Sequence, residues 1–303
     1  PGPAALEEDA ELQEATQDTR PKTEPTPFKS KAQKRYKRSR REGDLSSTVG
    51  GPTSPKSGKP FSNSTKRAGS DRLRFEEVEP ESFETKNGRK SVFNGVAHTL
   101  YIPRRTSFKL TATSKKLDIA YGWCLSDSDF PLKLVKPEET PMVIFGGDNA
   151  TRQFNDLIPP GFGCSKIVVR EVYTPSGNWS SFPAHKHDER VLDEKGNVIE
   201  PIQEETYFYK FEKPEAYAIQ QVYTKDRVID EIIRAQHNDV VMIPRGFHPV
   251  VAEHGFHCYY LNFLAGTDQC LENTTDPDHE WIYNSWKSKD PRLPLVTSKM
   301  NND

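Results

Sequence analysis

Residues 205–211 read Glu205-Thr-Tyr-Phe-Tyr-Lys-Phe211, and this stretch decides the fold class. It is rich in aromatic residues, which favour a pleated, half-buried surface. Side chains alternate between the two faces of a strand, so Glu205, Tyr207 and Tyr209 share one side. The same texture recurs on either side: Ser165–Tyr173 before it, then Tyr217–Tyr223, Asp239–Ile243 and His257–Phe263 after it. Nearer the N-terminus, Thr99–Pro103, Ser107–Ala112 and Leu117–Tyr121 are read as three further strands. One short helix is expected near Asp276–Trp286. Short strands joined by turns instead of helices predict an all-β antiparallel sandwich or barrel.

Outward from this region the composition changes. The chain has 303 residues, 34% of them hydrophobic, with 24 prolines and a mean hydropathy of −0.79. Residues 1–70 hold only seven large apolar or aromatic side chains: Leu6, Leu12, Phe28, Tyr36, Leu45, Val49 and Phe61. Such a segment cannot offset the cost of ordering its backbone, roughly 1–2 kcal/mol per residue. A disordered tail over 1–70 is therefore expected. That tail carries 14 of the 42 basic and 9 of the 44 acidic residues, so the remainder is net acidic and not built to wrap a polyanion. Eight of the 13 residues in Lys29–Arg41 are basic. The run reads as a nuclear-localisation or nucleic-acid patch, or as a solvated charge run. With Tyr36 its only aromatic, it has no stacking platform, and nucleic acid is not expected as a partner. No run of about 18 apolar residues predicts a transmembrane helix, and no apolar run follows the N-terminus as a secretory signal does. The chain opens Pro1-Gly2-Pro3 and reads as a processed chain or a fragment. Cys124, Cys164, Cys258 and Cys270 form no C-x-x-C pair, as expected for reduced thiols in a cytoplasmic protein.

The chemistry-bearing motif is Ala184-His185-Lys186-His187-Asp188. In a strand His185 and His187 point into one space while Lys186 points the other way. Two imidazoles on one wall can ligate a divalent metal. Glu205 is a third ligand candidate, preferred over its rival Glu204 because alternation from Glu205 carries Tyr207 and Tyr209 along the same wall. A fourth candidate, His248, follows in Ile243-Pro-Arg-Gly-Phe-His-Pro249, where a tight turn presents it back across the barrel. Three histidines and one glutamate make a site for zinc, manganese or iron, with positions left open for substrate oxygens.

These motifs resemble the paired signatures of the cupin superfamily, small β-barrels with a His-His-Glu-His metal site. More specifically, GGDNATRQFNDL (146–157), EVYTPSGNWSSFPAHKHDE (171–189), EETYFYKF (204–211), IQQVYTKD (219–226), DVVMIPRGFHPVVAEHGFHCYYLNFLAG (239–266) and HEWI (279–282) are similar to the 5-deoxy-glucuronate isomerase family of myo-inositol catabolism. The resemblance covers roughly 89–286 and implies two cupin barrels in tandem, the second bearing the metal. It places His185, His187, Glu205 and His248 on the family's metal ligands. The polar tail stands where the opening strands of the first barrel are expected. The implied organisation is a tail over 1–70, a partial N-terminal barrel over 71–160, a metal-binding barrel over 161–290 and a C-terminal tail over 291–303. The open first barrel favours self-association, so a homo-oligomer is expected.

The resemblance further implies an aldose–ketose isomerisation of a deoxy-uronic acid, in which a divalent metal stabilises enediolate charge. Tyr207, Tyr209 and Tyr260 are the candidate proton-transfer residues. Gln220, Tyr223 and Arg245 are the candidate substrate contacts, Arg245 ahead of Lys186 for the carboxylate. An Fe(II) dioxygenase and a non-catalytic cupin binding module are the alternative readings.

Overall fold

The computed structural model describes residues 81–302 apart from 86, 87 and 116. The expected tail over 1–70 and the basic run Lys29–Arg41 lie outside the described residues. Strand β1 (Thr99–Tyr101) pairs with β2 (Lys133–Val135). Next come β3 (Met142–Phe145), β4 (Arg152–Ile158), β5 (Ile167–Thr174), β6 (Trp179–Ser180) and β7 (His185–Lys186). A hairpin of β8 (Val191–Leu192) and β9 (Val198–Glu200) follows. The remaining strands are β10 (Gln203–Phe211), β11 (Tyr217–Tyr223), β12 (Asp230–Gln236), β13 (Val240–Ile243), β14 (Val250–Ala252), β15 (Cys258–Gly266) and β16 (Thr274–Thr275).

Two antiparallel sheets carry the fold, a six-stranded one in the order β13-β10-β15-β5-β4-β3 and a four-stranded one in the order β12-β11-β14-β6. Their inner faces close on one core: Val172, Tyr207, Tyr209, Ile243 and Tyr260 from the first sheet meet Ala218, Val222, Ala235, Val250 and Ala252 from the second. Burial along β10 alternates strictly, odd positions from Gln203 to Phe211 being buried and even ones exposed or half-buried. This is the period-two pattern expected of a strand with one face on a core. Beside it, β5 breaks the pattern: Val168 and Val169 are both buried, as are Val172 and Tyr173. The second face of the sheet is covered here too, by a cluster in which Val92, Val96, Tyr101 and Val296 pack on Val169, Tyr173 and Tyr259.

Three sequence expectations are corrected. Residues 107–112 and 117–121 form no strand. Phe108, Leu110, Leu117, Ile119 and Tyr121 are exposed, since alternation alone makes a strand only where a sheet edge is there to receive it. The short helix expected near Asp276–Trp286 is borne out as a 3-10 helix over Pro277–Asn284, started by the Asp276 side chain accepting from the Asp278 amide. The boundary set at 160 falls inside one hydrogen-bonded sheet, because β4 pairs with β5 from Gln153–Tyr173 to Ile158–Val169. The segment after 290 is docked and not a loose tail. The Gln153 amide accepts from Leu295 N and donates to Val296 O, while Asn301 bonds both backbone groups of Val96. Among the described residues no helix is long and apolar enough to cross a membrane.

Candidate metal centre

Three elements deliver the histidines and the glutamate to one place. Short β7 pairs with β16, Thr275 opposite His185. Glu205 lies on β10, opposite Ile243 of β13. His248 follows the turn after β13, where Gly246 has φ +95°. A Cβ at that glycine would sit 2.5 Å from the Tyr223 carbonyl oxygen, so both the left-handed backbone and the close approach require glycine.

The ligand atoms of His187, Glu205 and His248 all lie within 4.8 Å of one another, and all three residues are buried. Glu205 Oε2 is 3.0 Å from His187 Nε2 and 3.2 Å from His248 Nε2. His185 stands beside this trio, its ring centroid 5.0 Å from that of His248. Glu204, the rival carboxylate, is exposed.

Each imidazole is oriented through its other nitrogen. Nδ1 of His185 faces Pro183 O at 3.1 Å, that of His187 faces Gln203 O at 3.0 Å, and that of His248 faces Gly246 O at 2.8 Å. A carbonyl only accepts, so Nδ1 carries the proton and Nε2 of the neutral ring presents a lone pair. His248 Nε2 is buried and makes no hydrogen bond of acceptable geometry. Lone pairs facing a carboxylate at about 3 Å suit a positive centre between them. Metal bonds of about 2.0–2.2 Å set neighbouring ligand atoms roughly 3.0–3.5 Å apart, so these residues fit a divalent ion. The titration behaviour agrees. Burial, with His248 and His187 alongside, lowers His185 to about 3 and keeps it neutral. Burial works to raise the Glu205 carboxyl, but the imidazoles of His187 and His248 against it outweigh burial and hold the group well below the usual range. His187 is raised despite burial because Glu205 attracts a positive charge there.

Lys186, on the opposite side of β7, is held in an acidic cluster. Its Nζ donates to Asp188 Oδ1 at 2.6 Å, Glu200 Oε1 at 2.8 Å and Glu189 Oε2 at 3.1 Å. Glu200 Oε1 also accepts from the amides of Asp188 and Glu189, and Asp188 Oδ2 accepts from Gly246 N at 2.7 Å. The cluster thus ties the His185–His187 segment to the turn that carries His248, and Lys186 has no donor to spare for a substrate.

A cavity of about 260 Å³ opens over the centre, lined in part by His185, His187, Glu205, Tyr207 and Ser181. Tyr207 Oη shares a 2.8 Å hydrogen bond with Ser181 Oγ, and Tyr260 Oη one of 2.5 Å with Ser180 Oγ. Burial, then the charge of Glu205, raises Tyr207 well above the usual phenol range, so it remains a donor. The other predicted contacts are placed elsewhere. Tyr209 donates to Gln220 Oε1 at 2.9 Å within the core, Tyr223 donates to Asp276 Oδ2 at 2.5 Å, and Arg245 is exposed on the turn; none of these four lines the cavity. Two arginines that sequence reasoning passed over do line it, Arg152 and Arg170. Arg170 sits among the apolar residues of β5, and Arg152 lies in the 146–157 stretch that carried the family resemblance without being singled out.

An antiparallel barrel with a His/Glu cluster at its cavity defines the chain as a cupin-like protein whose clustered side chains could hold a metal ion. It belongs to the KduI/IolB family, whose profile matches residues 73–282. The chain is 35% identical over 208 residues to a 5-deoxy-glucuronate isomerase of Geobacillus thermodenitrificans (strain NG80-2), a match covering 68% of this chain and 73% of that protein. It is 37% identical over 205 residues to the 5-deoxy-glucuronate isomerase of Bacillus subtilis (strain 168), covering 66% and 73%. The crystal structure of an IolB-like protein from Salmonella typhimurium LT2 is similar at 36% identity, covering 51% of this chain and 57% of that one with a TM-score of 0.48. By its family and its curated relatives the chain is an isomerase.

Proposed function

We propose that this protein is a metal-dependent aldose–ketose isomerase that converts 5-deoxy-D-glucuronate to 5-dehydro-2-deoxy-D-gluconate in cytoplasmic inositol catabolism. The observation that carries the reading is the cluster of His187, Glu205 and His248 beneath a polar cavity, in a family whose curated relatives bear that activity's name.

His187, Glu205 and His248, with His185 beside them, would hold the divalent ion. When bound, it supplies Lewis-acid polarisation of the substrate's carbonyl and neighbouring hydroxyl. The chain's own residues do the rest. Tyr207 keeps its phenolic proton and donates a hydrogen bond into the cavity, where charge develops on oxygen. Ser181 orients that phenol and lies 3.5 Å from Tyr260 Oη, so the two tyrosines are joined through one hydroxyl. Tyr209, paired with Gln220, supports the wall behind them.

The test pairs metal analysis with NMR detection of the ketose product. Stripping the metal by chelation is expected to abolish turnover, and re-addition of zinc, manganese or iron to restore it. Glu205→Gln removes a ligand and is expected to lose at least about 100-fold in metal affinity, the upper end for residues that only orient ligands, with the melting transition retained. Full turnover by metal-free protein would sink the proposal.

A further inference from the structure

The two arginines of the cavity differ in one respect. Arg170 Nε donates to Asp156 Oδ1 at 2.6 Å, so its charge is already balanced. Arg152 is only 4% exposed and makes no ion pair among the described residues. Its Nη1 donates to the carbonyls of Ala150 at 3.0 Å and Phe182 at 2.7 Å, while its Nε is buried with no hydrogen-bond partner. The ring of Phe145 lies 4.8 Å from its Cζ. A buried guanidinium without a counter-charge is costly unless something pairs with it. Burial lowers its pKa to about 10, which leaves it cationic at neutral pH.

A second donor points the same way. Asn262 lines the cavity, is 5% exposed, and its Nδ2 has no partner. One orphaned acceptor accompanies these donors, Gln203 Oε1.

We infer that Arg152 is the carboxylate anchor of the cavity: its guanidinium binds the acid group of a polyhydroxylated C6 substrate, with Asn262 and Gln203 serving the oxygens and hydroxyls alongside. The inference rests on the isomerase reading for the identity of the acid, and on the cavity alone for the charge of the ligand. It assigns to Arg152 the role expected from sequence for Arg245. The strand positions Arg152 inside, whereas the turn leaves Arg245 in solvent.

The test uses the metal-loaded full chain, wild type and the variants R152M and R152K. Calorimetric titrations with 5-deoxy-D-glucuronate and with its uncharged counterpart 5-deoxy-D-glucose are run alongside turnover and metal content. Wild type is expected to bind the acid about tenfold or more tightly than the neutral sugar, as a charge-assisted pair requires. R152M is expected to weaken the acid by about 10–100-fold and to leave the neutral sugar unchanged. R152K falls between them, because a point charge replaces a fork. Equal affinity of wild type for the two sugars, or equal loss of both in R152M, overturns the assignment. Should R152M not fold, the wild-type comparison and R152K still decide. Acid-selective, Arg152-dependent binding without turnover would sink the isomerase reading and leave this one standing; turnover without acid selectivity does the reverse.

Discussion

Replacing Lys186 by methionine probes how the centre is held together. The ammonium is 4% exposed and serves three carboxylates, of which Glu200 is 1% exposed, Asp188 16% and Glu189 66%. The Glu189 contact is a surface pair, worth about 0–1 kcal/mol. The other two are desolvated, and removing the cation from such a pair costs about 3–5 kcal/mol. Glu200 keeps two backbone amide donors at 2.9 Å and Asp188 keeps the Gly246 amide at 2.7 Å. The residual charges are therefore partly met, and the lower end applies, about 3 kcal/mol. For a folded part of this size that is a fall in melting temperature of about 6–12 °C. Because Asp188 also holds the turn before His248, metal affinity is expected to drop about 10–100-fold. Denaturant melts of the metal-free protein and chelator competition for the metal read the two effects separately. A variant less than about 1 kcal/mol destabilised, with unchanged metal affinity, would refute the reasoning: it would make Lys186 a bystander.

Two further outcomes follow from the geometry. Gly246→Ala forces a Cβ toward the Tyr223 carbonyl at a φ of +95°, so about 1–3 kcal/mol of stability and part of the metal content should be lost; thermal melts and metal analysis of the purified variant check this. The Arg292 guanidinium beside Asp290 holds its carboxyl at about 2, so the pair stabilises the fold above the unfolded carboxylate pKa of about 3.9. That contribution disappears as pH falls through about 2, and the melting-temperature gap between wild type and Asp290→Asn should be present at pH 7 and closed near pH 2. A gap that widens on acidification would contradict it.

Strands β5, β10, β11, β13 and β15 were legible because their pattern is local, whereas β3, β4, β12 and β14 were not read from sequence. Burial alternates residue by residue along β10 and from Tyr217 to Val222 in β11, and the observed bounds of β11, Tyr217–Tyr223, are those read from sequence. Leu117–Tyr121 shows equally good alternation and forms no strand. Alternation reports what a segment can do; pairing requires an edge to receive it, which sequence does not display. The separation of Glu205 from Glu204 came from the same periodicity, and the structure buries the first and exposes the second.

By itself, then, the sequence determined the all-β class, five strands of the barrel and the residue types of the His/Glu centre, because side-chain alternation and motif spacing act over a few residues. Only the tertiary structure decided which of the polar side chains share the cavity. Arg152 and Arg245 are 93 positions apart and look equally suited to a carboxylate, but one is buried in a sheet without a counter-ion and the other lies on an exposed turn. Lys186 looked free until Glu200, 14 residues on, closed over it. Burial and pairing depend on contacts between distant segments, and those exist only once the sheets have closed.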